Sequence, residues 1–194
     1  MVGGVQPLDP ESLLEPAAAA RGLLGALLER TLSDGTVLVG RIVETEAYFQ
    51  DDPASHTYRG QTPRNAAMFG PPGHAYIYLS YGIHWCFNVT AGPAGYGAGV
   101  LIRAVEPLEG LKVMEELRGR GGRELSNGPG KLTRALAIGP ELYGHDLRLP
   151  PLRVLQGEQV PDGLVERSAR IGISAAREEL LRFSVSDSEF VSRR

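Results

Sequence analysis

The 194-residue sequence has one cysteine, Cys86, and four histidines scattered along it. A single cysteine excludes an intramolecular disulfide, and the scatter of histidines offers no metal-ligand cluster. A lone thiol in an aromatic-rich strand reads as a buried group, and a reducing, cytoplasmic setting suits it. No apolar run is long enough to cross a bilayer. Met1-Val2-Gly3-Gly4-Val5 lacks the basic region and apolar core of a secretory signal. Excess positive charge is missing too: the formal net charge is −3. That excludes a coat of basic residues but leaves room for a local basic face. Arg59, Arg64, Arg118, Arg120, Arg123, Lys131 and Arg134 are candidates for it, with the arginines between 118 and 123 reading as a solvated loop.

What the chain does contain is ordinary for one folded domain: 42% hydrophobic and 22% charged residues, with neither a repeat nor a second compositional segment. Residues 1–15, with two prolines, read as an irregular arm. Glu15-Pro16 opens a helix running to about Leu24, because proline suits a first helical position, and Gly25 stops it. Ala26–Leu32 and Thr36–Tyr48 read as strands joined by a Ser33-Asp34-Gly35 turn. Phe49–Gly73 is a long polar loop, and loops of that length inside a compact domain are usually functional or disordered. Ala75–Leu79 and His84–Val89 form the next pair of strands, with Tyr81-Gly82 at their turn. After the glycine-rich link Ala91–Gly99, the pattern predicts a strand over Val100–Val105, a helix over Glu109–Leu117, a break at Gly119–Gly122 and a helix over Leu132–Ile138. Ser126-Asn127-Gly128-Pro129-Gly130-Lys131 resembles a phosphate cradle only weakly, without P-loop spacing. Further strands follow at Leu152–Leu155 and Phe183–Val185.

Two stretches carry chemistry. In Gly40-Arg41-Ile42-Val43-Glu44-Thr45-Glu46-Ala47-Tyr48, strand alternation puts Glu44, Glu46 and Tyr48 on one face. In Tyr76-Ile77-Tyr78-Leu79-Ser80-Tyr81-Gly82 the same alternation supplies more rings. Carboxylates beside rings suit a pocket for a flat ligand with an acid or base at its edge; the pattern equally suits a plain half-buried sheet. A hairpin tip normally carries Asn, Asp or Gly, yet here it carries Tyr81. A bulky wedge on a projecting hairpin is what pushing between stacked bases requires; the alternative is a ring packed back on its own domain. A displaced base would need a slot with aromatic walls, which Tyr48, His56 and Tyr78 can supply.

The run from Gly40 to Arg103 resembles the alkyladenine (3-methyladenine) DNA glycosylase family. The matching stretches are Arg41 to Tyr48, then Gln61-Thr62-Pro63-Arg64-Asn65 with Met68-Phe69, then Tyr76 through Asn88, and Val100-Leu101-Ile102-Arg103-Ala104. Weaker likeness continues through Gly128 to Leu132 and Arg170-Ile171-Gly172-Ile173 to Leu181-Arg182-Phe183. The resemblance implies an α+β domain with a curved, mostly antiparallel sheet, surrounding helices and a projecting hairpin. It implies a monofunctional enzyme of base excision repair that flips alkylated or deaminated purines out of duplex DNA and leaves an abasic site. Within that likeness, Glu46 matches the general base that activates water, and Arg103 matches the residue that helps position both. Tyr48, His56 and Tyr78 match the side chains around the base, Asn88 the residue crowding the 2-amino position of guanine, and Tyr81 the intercalator. The neighbourhood of Ile173 matches a carbonyl that holds the water. Thr62, Arg64, Ile83, His84 and Lys131 are expected at the DNA backbone. At Ile83, His84 and Trp85 the chain departs from the family's pattern, which bears on DNA affinity and lesion preference more than on chemistry.

The physical chemistry agrees with these roles. Breaking an N-glycosidic bond develops positive charge on the sugar, which a nearby carboxylate stabilises while taking a proton from water. A π-rich slot favours a cationic alkylated base. No lysine in the matched stretches is a candidate nucleophile, since Lys112 falls on a helix and Lys131 in the glycine-rich loop, so a hydrolase fits better than a Schiff-base lyase. Two other classes stay in view: a binder of distorted DNA that cuts nothing, and a hydrolase of free nucleosides. The Glu46–Arg103 pair speaks against the first, and a wedge at Tyr81 against the second. The expected protein is a monomer acting in the cytoplasm or on the nucleoid, without metal or cofactor.

Overall fold

A computed structural model describes residues 6–192. Met1–Val5, where the expected arm begins, lie outside the described residues. Short alternating apolar runs separated by glycine-rich turns build eight strands: β1 Leu27–Thr31, β2 Val37–Tyr48, β3 Ala75–Ser80, β4 His84–Thr90, β5 Gly99–Glu109, β6 Leu152–Leu155, β7 Val165–Ser168 and β8 Arg182–Val185. They pair antiparallel in the order β3-β4-β5-β2-β1-β6, with β8 joined to β2 and β7. At twelve residues β2 is long enough to share one edge: its first part pairs with β1 and Glu44–Glu46 pair with β8. Three helices, α1 Pro16–Gly22, α2 Leu111–Arg118 and α3 Pro129–Ala135, complete a single α+β domain. No helix among the described residues is long and apolar enough to cross a membrane.

The alternation read from β2 holds, and it separates two environments. Thr45 and Ala47 face the core, where the Thr45 hydroxyl donates to the Ala20 carbonyl of α1 at 2.7 Å. Opposing residues on antiparallel strands share a face. The core face therefore continues through Ile102, Val100, Phe87 and Ile77, all buried in the main apolar cluster. Glu44, Glu46 and Tyr48 belong to the other face. Both faces of β2 are covered, so most of the strand is buried.

Several boundaries differ from the sequence reading. Strand β5 runs to Glu109, so α2 begins at Leu111 after Gly110, whose φ of 80° breaks the strand. Helix α3 starts at Pro129 and ends at Ala135, three residues earlier than predicted at each end. Its Pro-Gly-Lys opening is the first helical turn, where proline's missing N–H costs nothing. The arm is not wholly irregular, because Pro10–Leu13 form a 3-10 turn capped by Asp9 and bury Leu13. Helix α1 ends at Gly22, ahead of the predicted Leu24. Arg118 does not belong to a free solvated loop either: its guanidinium donates to the Glu124 and Leu125 carbonyls at 2.9 Å.

Candidate active site

Pairing across four strands lines up Glu46 (β2), Leu101 (β5), Asn88 (β4) and Tyr76 (β3) on the face away from the core. One step along, Tyr78 pairs with Cys86 on the same face. The register of β2 on β5 slips on both sides of Glu44, leaving Arg103 without a partner opposite it. Such bulges re-aim a side chain, and here the re-aimed guanidinium lies between Glu44 and Glu46. Over this face opens a cavity of about 500 Å³, walled by Tyr48, His56, Tyr76, Tyr78, Asn88 and Arg103 and closed on one side by Ile171–Ser174.

The Glu46 carboxylate lies one layer behind that wall, with 0% exposure, rather than on the cavity surface itself. Three groups that do line the cavity hold it. The Tyr48 hydroxyl donates to Oε2 at 2.8 Å, the Ile171 amide to Oε1 at 2.8 Å, and Arg103 Nη1 stands 3.3 Å from Oε1. A carboxylate has about four acceptor positions, so these partners leave one position, on Oε2, to take a further proton. Burial first, and the Glu46 carboxylate second, hold the Tyr48 phenol far above its ordinary value, so it serves as a donor. Burial works against the Arg103 charge, but Glu46 and Glu44 outweigh it and its value rises.

Around the mouth, the rings form one cluster. His56 stands edge-on to Tyr78 with centroids 4.5 Å apart, and Tyr76 stacks on Tyr78 at 5.5 Å. His56 Nδ1 bonds the Tyr76 hydroxyl at 2.9 Å. Burial, then the Arg64 charge, lowers the His56 value, which favours a neutral ring. Burial pushes the Tyr76 phenol up to about 12 and the Cys86 thiol upward as well, so neither ionises readily at neutral pH. The Asn88 amide donates to the Tyr76 carbonyl at 3.1 Å, which fixes its orientation at the cavity wall.

The 49–73 loop is tied down from within. Asn65 is buried; its side chain accepts from the Thr62 amide at 2.6 Å and donates to the His56 and Gly60 carbonyls at 2.9 and 3.1 Å. Thr62 therefore serves the loop itself while staying exposed. Arg64 lies over the Tyr78 ring, 5.8 Å from its centroid, and lines the cavity. Beyond it the β3–β4 hairpin projects. Tyr81 at φ 50° and Gly82 at φ 72° form its tip, closed by the Ile83 amide donating to the Ser80 carbonyl at 3.1 Å. Tyr81 is 87% and Ile83 71% exposed, so the tyrosine does not pack back on its domain. His84 is also exposed, and its base rests on Gly130 of α3, where any Cβ would meet it at 2.9 Å. The Thr133 hydroxyl of α3 donates to the Trp85 carbonyl at 2.9 Å and braces the hairpin's root. Lys131 sits on the same helix but is paired with Glu124 at 2.7 Å.

The structure thus gathers Glu46, Arg103, Tyr48, His56, Tyr78, Asn88 and Ile173 around one cavity, with Tyr81 and Arg64 at its edge. The sequence reading gave no role to Arg170, Ile171 or Ser192. Arg170 is buried; its guanidinium lies 4.6 Å under the Tyr48 ring, bonds the Ala47 carbonyl at 2.9 Å and pairs with Asp52. Ile171 contributes through its backbone amide, which no side-chain pattern signals.

Comparison with known proteins places this geometry in context. Residues 12–189 match the family model described as Methylpurine-DNA glycosylase. The chain is 48% identical over 177 residues to a protein of Carboxydothermus hydrogenoformans, covering 90% of this chain and 92% of that one. It is 52% identical over 176 residues to one of Nitrosospira multiformis, covering 90% and 87%. It is 46% identical over 185 residues to one of Methanoculleus marisnigri, covering 93% and 95%. Each of the three carries the provisional name 3-methyladenine DNA glycosylase.

Proposed function

The chain belongs to the methylpurine-DNA glycosylase family, and on that premise we propose that it hydrolyses the N-glycosidic bond of damaged purines flipped from duplex DNA, with Glu46 as the base. One observation carries the reading: a ring-walled cavity backed by a buried carboxylate that three cavity-lining groups hold in place. The purine enters between Tyr48, His56 and Tyr78, and Tyr81 fills the gap it leaves in the stack. The bond from C1′ to the base nitrogen breaks and its electron pair leaves with the base, which discharges the positive charge of an N3- or N7-alkylated purine, while a neutral purine such as hypoxanthine takes up a proton from water as it leaves. Water oxygen bonds C1′ of the resulting oxocarbenium-like sugar, and the water proton passes to the open position on Glu46 Oε2. The carboxylate's charge also stabilises the positive sugar in a site shielded from solvent. The products are the free base and an abasic site.

Arg103 orients Glu46 rather than acting on the sugar. A lyase would need a neutral amine near C1′. Neither lysine lines the cavity, and Lys131 Nζ is bonded to Glu124 and Asn127 at 2.7 and 2.8 Å. The lesion class is 3-methyladenine, 7-methylguanine, hypoxanthine and ethenoadenine, of which 7-methylguanine alone carries the 2-amino group that meets Asn88 at the wall.

Single-turnover base release from a panel of these lesions, run with EDTA present, tests the reading. Glu46→Gln keeps binding to the damaged duplex while release falls by at least about a hundredfold, the smaller end of what a positioned base contributes. Near-normal release by Glu46→Gln would remove the base assignment.

A further inference from the structure

We infer that Glu44 and Ser192 form a positioning clamp that restricts Arg103 to one nitrogen on Glu46, so that a segment 148 positions from Glu44 takes part in base release. The inference rests on the reading of Glu46 as base. Glu44 is wholly buried and does not line the cavity, so it has no direct contact with substrate there. Its carboxylate is nonetheless heavily engaged. Oε1 accepts from Arg103 Nε at 3.0 Å, Arg182 Nε at 2.7 Å and Ser192 Oγ at 2.9 Å, and Oε2 accepts from the Ser192 amide at 2.7 Å.

The arrangement divides the Arg103 fork among three partners. Nε goes to Glu44, Nη1 to Glu46 at 3.3 Å and Nη2 to Ser192 Oγ at 3.4 Å. A guanidinium left to itself prefers two parallel bonds to one carboxylate. On Glu46 such a fork would add a donor at Oε2, the oxygen with an acceptor position left. Glu44 and Ser192 oppose that shift by holding Nε and Nη2 elsewhere. Among the described residues Glu44 and Glu46 face Arg103 and Arg182, and Arg182 is tied to Ser168 by Nη1 at 2.8 Å. Removing the Glu44 carboxylate would release Arg103 Nε and free the guanidinium to turn its fork onto Glu46. Val191 is buried next to Ser192 in the sequence, which anchors that segment at the clamp.

The other titratable groups facing Glu46 are Tyr48 on its own strand, Tyr78 on β3 and Cys86 on β4. None of them ionises readily near neutral pH.

The test is single-turnover release and duplex affinity for Ser192→Ala, Ser192→Thr and Glu44→Gln, with Glu46→Gln alongside and thermal melting of each. Ser192→Ala is expected to slow release about tenfold, short of the hundredfold a full ångström of misplacement can cost, with affinity and melting near those of the natural chain. Ser192→Thr restores release. Glu44→Gln slows release. Unchanged release in Ser192→Ala, or a loss that tracks melting and is not rescued by threonine, overturns the clamp; this pair decides the matter even if Glu44→Gln fails to fold. Normal release by Glu46→Gln would instead overturn the reading beneath it. A dead Glu46→Gln with normal Ser192→Ala and Glu44→Gln sinks the clamp alone.

Discussion

Behind the cavity, two carboxylates and two guanidinium groups are withheld from water, while at the β3–β4 tip Tyr81 and Ile83 project into it. Each region reverses the usual placement of its residues, and each does so at a cost. Charges in the interior are tolerated because they are paired and hydrogen-bonded, and here each has at least two protein partners. The tip bears its cost in the backbone, since a non-glycine residue in the left-handed region costs roughly 1–2 kcal/mol. Strain of this kind collects at functional positions. The contrast separates two tasks. Under the proposed function, proton transfer needs groups fixed in place, whereas engaging DNA needs a side chain that the protein does not already use.

Perturbing the buried half gives the largest effect. Arg103→Ala leaves Glu46 without its cation and is expected to lower unfolding free energy by about 3–5 kcal/mol, read from the urea midpoint; a loss under 1 kcal/mol would mean the cluster tolerates an unpaired carboxylate. At the tip, Tyr81→Ala is expected to slow release from well-paired lesions by about ten- to a hundredfold, because unstacking a step costs a few kcal/mol, with little change for mismatched ones. Tyr81→Asn, which accepts the left-handed region, should lose the same activity while gaining roughly 1 kcal/mol of stability. Equal effects on paired and mismatched lesions would argue against a wedge.

Between the two regions lies the wall of the slot. Asn88→Ala should raise release of guanine-type lesions about tenfold, the scale of one removed obstruction in a pocket; no gain would leave Asn88 a purely structural residue. The smallest effect concerns His56, whose value is lowered by burial and by Arg64. Sign follows from that direction: the neutral ring's contribution to folding is whole at neutral pH and is lost as pH falls from the ordinary value of about 6.5 through the lowered one. Over the same window a protonated ring repels a cationic base, so the ratio of 7-methylguanine to hypoxanthine release should fall, and His56→Gln should flatten that fall.

Much of this was legible in one dimension. Alternation along β2 put Glu44, Glu46 and Tyr48 on one face and Thr45 and Ala47 on the other, because a strand has a strict two-residue period. Tyr81-Gly82 between two alternating runs marked a hairpin tip. Helix limits were less legible: Pro129 fits equally well as loop or first helical turn, and only packing of α3 under the hairpin, with Gly130 against His84, decides. Partners of the buried charges were not legible at all. Ile171 acts through its backbone, Arg170 meets Tyr48 from 122 positions away, and Ser192 reaches Glu44 from 148.

The linear order of residues determined which groups are candidates for the proposed chemistry and which side of each strand they occupy, since the strand period follows from covalent spacing. Only the three-dimensional arrangement decided that Glu46 sits behind the cavity wall rather than on it. It alone also decided that a slip in β2–β5 pairing turns Arg103 toward two carboxylates and that Ser192 closes on Glu44. Those outcomes depend on register and on segments far apart in the chain, which short-range periodicity does not encode.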